Sequence, residues 1–414
     1  MSHEKISSET VISILRTTDE LHNLKDVDAV IDHLLHESRK LTNSEAGSVF
    51  LMEGNELVFS YVHNDVLFQK NDSSAAIYED IKIPVNKNSI VGYSAITGEI
   101  LSIDDVYNIS NAVPYKFNDA FDKKSGYVTK SVLTIPLKTM QENLVGIMQL
   151  INTKDKSGNI VNFSEEDKLY VPLLASYATV AIERGKMNRE LILRMMKLAE
   201  LRDPLETGGH VQRVGAYSSE IYQHYAVKKG IDKKEMKNTR DLIRLAAMLH
   251  DVGKVGISDT ILKKPAKLDE DEFNQMKLHT IYGAQVFVNK TASPIDDMAR
   301  EIALHHHQKF DGTGYPGVVN NLSELQIFND KCLKGEDIPL PARIVALADV
   351  FDALSSARYY KPPWPDDKII KVIKENSGTQ FDPEMVDSFL DIFDVMVAIR
   401  NKYKDDIMPM LSRK

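Results

Sequence analysis

Histidine and carboxylate side chains recur through the second half of the chain in surroundings that make a lone polar group costly. The stretch Leu249-His250-Asp251-Val252-Gly253-Lys254 closes an apolar run with a His-Asp pair and a Gly-Lys turn. Before it, Leu242, Ile243, Leu245, Ala246, Ala247 and Met248 predict a helix apolar on nearly every face, hence a buried one. A histidine and an ionised carboxylate at the end of such a helix need partners. A metal ion accepts imidazole nitrogen and carboxylate oxygen together. For the pair taken alone, a core histidine satisfied beside a C-capping turn is the competing explanation.

Four further sites weigh against that explanation. Glu206 and His210 stand four apart, on one face if the segment is helical, although Gly208 and Gly209 lower helix propensity there. His279 follows an amphipathic run beginning at Phe273. His305-His306-His307 end a helix whose Ile302, Ala303 and Leu304 point inward. Asp349, with Asp352 three residues on, sits on the apolar run Ile344-Val345-Ala346-Leu347-Ala348, where an unpaired charge would be neutralised or cost several kcal/mol. The donors are nitrogen and oxygen with no sulfur, which suits Fe, Mn or another octahedral metal better than structural zinc. More than four ligands imply more than one ion. A bridged pair about 3.5–4 Å apart is the usual arrangement for hydrolysing a phosphate ester.

The elements that must position these residues are helices in the second half and a mixture in the first. Apolar residues at spacings of three and four predict a helix or helix pair over residues 8–42. After Gly47 the pattern shortens: 49–52 and 57–59 flank a Gly54-Asn55 turn as a hairpin, and strands follow at 81–84, 100–103, 131–137 and 144–151, with a short helix over 89–95. These predict an α+β domain on an antiparallel sheet. Ser164-Glu165-Glu166-Asp167 then reads as a helix start, and no Gly-Pro break interrupts the pattern to Arg202. Such a helix is either a signal conduit and dimer seam or a plain spacer.

At 414 residues the chain exceeds one ordinary core. Its 43% hydrophobic and 27% charged residues are a soluble globular mix, and no run reaches the ~18 apolar residues of a membrane span. With no secretion signal and a single cysteine, Cys332, the expectation is a cytoplasmic protein without an intrachain disulfide. A net charge of −9 argues against binding a nucleic-acid polymer.

Two resemblances follow. Ile90-Val91-Gly92-Tyr93-Ser94-Ala95 with Thr97-Gly98-Glu99, then 131–137, then Gly146-Ile147-Met148-Gln149-Leu150-Ile151-Asn152, resemble a GAF domain over about 25–185. That resemblance implies a small-molecule ligand or a dimerising scaffold. Asn152, Phe163 and Asp167 fall in the order of the cyclic-nucleotide-binding subset, while Thr153 and Lys168 depart from it. The His-Asp pair with its spaced partners resembles the HD superfamily of metal phosphohydrolases, and His306-His307-Gln308-Lys309-Phe310-Asp311-Gly312-Thr313-Gly314-Tyr315-Pro316 is similar to its HD-GYP subfamily.

The fold class so implied is an α+β GAF domain with an antiparallel sheet and flanking helices, joined by a long helix to an all-α HD-GYP domain. The implied division is an N-terminal helix at 1–24, GAF at 25–185, a linker at 186–200, HD-GYP at 201–400 and a charged tail at 401–414. The HD-GYP resemblance implies hydrolysis of the bacterial second messenger cyclic di-GMP to pGpG or GMP, or of 3',3'-cyclic GMP-AMP, or a non-catalytic nucleotide-binding effector. It makes Glu206, His210, His250, Asp251, His279, His306, His307 and Asp349 ligands of two or three divalent ions, Fe or Mn. His250, Asp251 and Lys254 become the catalytic group; Lys254, Tyr315, Arg358 and Asp352 become the substrate-binding set. The implied partners are a cyclic dinucleotide, a GAF ligand and a second copy of the chain. Three features depart from the subfamily: Gln308 replaces a usual Glu, His305 makes the histidine run three long, and 318–334 is a longer link that is either a lid or a surface insertion.

Overall fold

The computed structural model of the chain describes residues 8–66, 82–200, 208–288, 293–323, 332–356 and 363–403. They form two compact units, Met1–Asn188 and Arg189–Lys414.

The first unit is built on an antiparallel six-stranded sheet of order β3-β2-β1-β6-β5-β4. Its strands are β1 Ser44–Glu53, β2 Glu56–Asn64, β3 Lys82–Pro84, β4 Leu101–Ile103, β5 Val132–Lys138 and β6 Leu144–Thr153. The hairpin at Gly54-Asn55 pairs Glu53 with Glu56 and sets the register outward, with one irregularity between Val49 and Phe50. Helices α1 Ser8–Asn23 and α2 Val27–Thr42 precede the sheet, and the Asp26 side chain caps α2 by accepting from the Asp28 amide at 2.9 Å. The apolar side of α2 (Val30, Ile31, Leu34, Leu35) is fully buried. The short helices α3 Ile90–Thr97 and α4 Ala120–Ser125 follow in the connections between strands.

The three residues that fall in the cyclic-nucleotide order have structural work in this unit. Asn152 is fully buried with φ 56°; its amide donates to Tyr127 Oη at 3.0 Å and the Val128 carbonyl at 2.8 Å and accepts from the Lys130 amide at 2.8 Å. Phe163 is a core residue. Asp167 and Ser164 cap each other's backbone amides at the start of the long helix α5, Glu165–Glu200.

The second unit is helical. Its described helices are α6 Gly208–Lys229, α7 Lys233–Ala246, α8 Asp259–Leu262, α9 Glu270–Lys277, α10 His279–Val286, α11 Pro294–His305, α12 Leu340–Ser355, α13 Asp366–Glu375, α14 Pro383–Asp391 and α15 Phe393–Lys402. Helix α6 is central, packing on α7, α12, α14 and α15. Its Tyr217 ring lies 4.9 Å from Phe351, which in turn lies 5.0 Å from Phe389. The apolar run expected to be buried is buried from Ile243 to Leu249, and it supplies the C-terminal end of α7, which begins with charged residues. The helix stops at Ala246. The chain then tightens into 3-10 turns at Ala247–Leu249 and Val252–Gly256, which place the His-Asp pair in the bend between them.

Candidate metal centre

Five elements deliver the site residues. His210 stands in the first turn of α6, His250 and Asp251 between the two 3-10 turns, His279 at the start of α10, His306 and His307 just past α11, and Asp349 inside α12. The bend at Gly253 can form only with glycine. A Cβ there would lie 1.9 Å from the His279 carbonyl oxygen and 2.2 Å from the Gly283 amide nitrogen, so the bend packs backbone to backbone on α10.

The donors form two groups, Asp251 with His279, His306 and His307, and His210 with His250 and Asp349. Within each, one donor atom per residue lies within 4.8 Å of the others. Asp251 Oδ1 is 3.2 Å from His279 Nε2 and 3.5 Å from His306 Nε2, and Asp251 Oδ2 is 3.3 Å from His250 Nε2. Asp349 Oδ1 lies 3.8 Å from His210 Nε2 and 4.0 Å from His250 Nε2.

The other ring nitrogen of four of these histidines is committed. His250 Nδ1 donates to the Ala247 carbonyl at 2.9 Å, His279 Nδ1 to Met276 at 2.7 Å, and His306 Nδ1 to Ile302 at 3.0 Å. A carbonyl can only accept, so the Nδ1 carries the proton and Nε2 keeps its lone pair for the centre. His210 Nδ1 is held in the same way by Asp352 Oδ2 at 2.9 Å.

Whether these residues fit metal ions is decided by the atoms left over. Asp251 Oδ1, His279 Nε2 and His306 Nε2 are buried and, among the described residues, have no hydrogen-bond partner. Buried polar atoms are nearly always paired, so several such atoms converging on one spot mark a place for a ligand. The donors are imidazole nitrogen and carboxylate oxygen, a set that suits divalent metal ions. Burial also tunes their charge. It pushes His306 down, and it holds His307 well below the usual imidazole range, aided by His306 and His279. Neutral imidazole is the ligating form. Burial alone would raise the Asp251 carboxyl, but Lys254, 2.8 Å from its Oδ2, and His250 more than offset that and hold it well below the ordinary carboxylate range.

Asp352, expected among the substrate-binding residues, is 2% exposed and is not among the residues lining the pocket beside the donors. Its carboxylate accepts from Arg213 Nε at 2.6 Å and Nη2 at 2.9 Å besides His210 Nδ1. Burial raises its pKa, and the hydrogen bonds from His210 and Arg213 overcome this to bring it down to about 2. Residues three apart on a helix point about 60° apart, which is enough to face Asp349 to the pocket and Asp352 to α6. Arg213, unremarked in the sequence, shows only the i+3 spacing from His210 as a signal.

A pocket of about 280 Å³ opens beside the donors, lined among others by His306, His307, Asp349, Tyr315, Phe273 and Lys277. The Tyr315 ring stacks on His307 at 4.8 Å, and its amide donates to the His307 carbonyl at 3.2 Å. The preceding turn is tight: Gly312 has φ +85°, and a Cβ on Gly314 would meet the Lys309 amide nitrogen at 2.3 Å. Of the three consecutive histidines, His306 and His307 join the donor group and His305 does not. Gln308 is buried with its amide donating to the Gly317 carbonyl at 3.1 Å. In the long link, Val319 and Leu322 pack on Ile281, Ala284 and Leu304, while Cys332 Sγ donates to the Gly314 carbonyl at 3.0 Å. Glu206 and Arg358 lie outside the described residues.

Family models match both parts of the chain. A GAF domain model matches residues 26–182, and two HD domain models match 207–354 and 328–385. A 3'3'-cGAMP-specific phosphodiesterase 2 of Vibrio cholerae is 38% identical over 54% of this chain and 38% of its own length. A cyclic di-GMP phosphodiesterase of the same organism is 36% identical over 67% of this chain and 53% of its own length, and one from Thermotoga maritima is 36% identical over 52% of each. The chain thus spans about half the length, or less, of these curated relatives. Among solved structures, the GAF domain from an Acinetobacter phosphoenolpyruvate-protein phosphotransferase covers 44% of this chain and 98% of that one at 11% identity, with a TM-score of 0.34 too low to weigh.

Proposed function

We infer that this chain, which joins a GAF domain to an HD domain, is a metal-dependent phosphodiesterase that hydrolyses cyclic di-GMP to pGpG, GMP or both. The observation that carries the reading is the pair of adjacent donor groups, around Asp251 and around His210, at the edge of one pocket. Asp251, His279, His306 and His307 would hold one ion and His210, His250 and Asp349 a second, with Glu206 as a further ligand. Two or three Fe or Mn ions bound there supply Lewis acidity and a water acidic enough to attack at neutral pH.

The chain's own residues do the rest. The Nδ1 hydrogen bonds fix the rings of His210, His250, His279 and His306, so these histidines hold position and do not shuttle protons. Lys254, 2.8 Å from Asp251 Oδ2, neutralises a phosphate oxygen as charge develops; Arg358 has the same role. Tyr315, braced on His307, positions the nucleotide.

Relatives named for either cyclic di-GMP or 3'3'-cGAMP support a second reading, in which the same centre prefers the mixed dinucleotide. Incubating the metal-loaded full chain with a panel of cyclic dinucleotides tests both. Hydrolysis of cyclic di-GMP that chelator abolishes is expected; no hydrolysis of any member overturns the reading. Lys254→Ala should keep its metal and lose about tenfold to a hundredfold in turnover.

The GAF domain serves as a sensor for a small molecule, in a cytoplasmic homodimer. Support for the dimer comes from α5, whose Leu169, Leu173, Tyr177, Val180, Met187 and Leu191 are all at least 46% exposed at helical spacing along one stripe. Light scattering of the full chain should give twice the monomer mass, and a monomer at tens of micromolar would end this part of the reading.

A further inference from the structure

Helix α9 starts with a capping box in which the Asp269 side chain accepts from the Glu272 amide and Glu272 reaches back to the Asp269 amide. None of its residues is buried, so the helix lies on the surface, anchored by Met276, which packs on Ile257, Ile261 and Leu262. It is nonetheless fixed to the metal centre: the Met276 carbonyl, in its last turn, accepts the Nδ1 proton of His279. On this acidic, solvated helix stands one large aromatic residue, Phe273, 45% exposed. Phe273 and Lys277 are four apart and therefore on one face, and both line the pocket that also contains His306, His307 and Asp349. The Lys277 ammonium lies 4.9 Å from the Phe273 ring centroid and 5.8 Å from that of Tyr315, with the Asn274 side-chain oxygen accepting from it at 2.9 Å. The two rings meet edge to face at 6.2 Å, which leaves much of Phe273 open.

We propose that Phe273 and Lys277 form a guanine-reading rim at the mouth of the metal pocket, Phe273 taking the face of the base and Lys277 its edge. The inference rests on the cyclic-dinucleotide reading of the pocket. With one phosphodiester held at the donors on the floor, the bases of such a substrate project toward the rim. An exposed ring stacks on any base. An ammonium donates well to guanine, whose O6 and N7 both accept, and poorly to adenine, whose N6 amino group is itself a donor. The stacking surface therefore contributes affinity and the ammonium contributes selectivity. The sequence offers no motif for this pair; only the fold brings α9 over the donors.

The test compares the metal-loaded full chain with Lys277→Met and Phe273→Ala, reading KM for cyclic di-GMP and the inhibition constant of cyclic di-AMP. Lys277→Met should raise KM for cyclic di-GMP roughly tenfold and leave inhibition by cyclic di-AMP unchanged. Phe273→Ala should weaken both ligands, again roughly tenfold. Metal content and melting temperature should match the parent protein in each. Equal effects of Lys277→Met on the two ligands, or an unchanged KM in Phe273→Ala, overturn the rim while cyclic di-GMP turnover by the parent protein leaves the functional reading standing. A parent protein that turns over no cyclic dinucleotide overturns both.

Discussion

The braces of the first unit and the metal centre of the second use a buried polar side chain in opposite ways. In the first, Asn152 spends its amide on three hydrogen bonds, and Asp122 accepts from Tyr107 Oη, the Thr129 amide and Thr129 Oγ1 at 2.7–2.9 Å. Both are braces that close on themselves. In the second, His279 and His306 satisfy one ring nitrogen each and present the other to Asp251 Oδ1, which has no hydrogen-bond partner among the described residues. A complete set of bonds marks scaffold; a half-complete set aimed at one point marks a place for something else. Burial alone does not separate the two, since Asn152 and His250 are both 0% exposed.

Substitutions in each unit can break this contrast. The largest effect is expected from Asp251→Ala, which should lose hydrolysis to background and at least one metal ion per chain, read by turnover and elemental analysis. Gly253→Ala should be next: its Cβ has no room against the His279 carbonyl, and overpacking of this kind costs about 3 kcal/mol, seen as a lowered denaturation midpoint. Asp352→Asn keeps volume but loses the charge that orients His210 and pairs with buried Arg213, so metal affinity or turnover should fall about tenfold to a hundredfold and the denaturation midpoint should drop. Asn152→Ala should cost about 2 kcal/mol in the first unit and leave metal content unchanged. A metal loss in that variant would erase the distinction between the two kinds of buried polar group.

How far the sequence reveals this differs by region. The hairpin around Gly54-Asn55 and the strands of the sheet follow from alternation and turn residues, which act locally, and the observed register pairs Glu53 with Glu56 as that turn requires. The donor residues stand out because His and Asp on apolar runs are conspicuous. Orientation around a helix is less legible. Asp349 and Asp352 share a run and a spacing that suggests one face, but only the packing of α12 on α6 decides that one meets the pocket and the other Arg213. Arg213 looks like any helical arginine, and Phe273 and Lys277 like a solvated turn, until distant segments come together. The end of α7 at Ala246 is hidden for the same reason: the apolar pattern runs on through Leu249, and the backbone contact of Gly253 with α10 is long-range.

The central claim, that the His-Asp cluster is a multinuclear metal centre, is tested most directly by elemental analysis of the full chain purified without chelator. Two or three Fe or Mn ions per chain are expected, with at least one fewer in Asp251→Ala. Stoichiometric zinc with little Fe or Mn, or less than one ion per chain in a protein that hydrolyses its substrate unaffected by chelator, would contradict it.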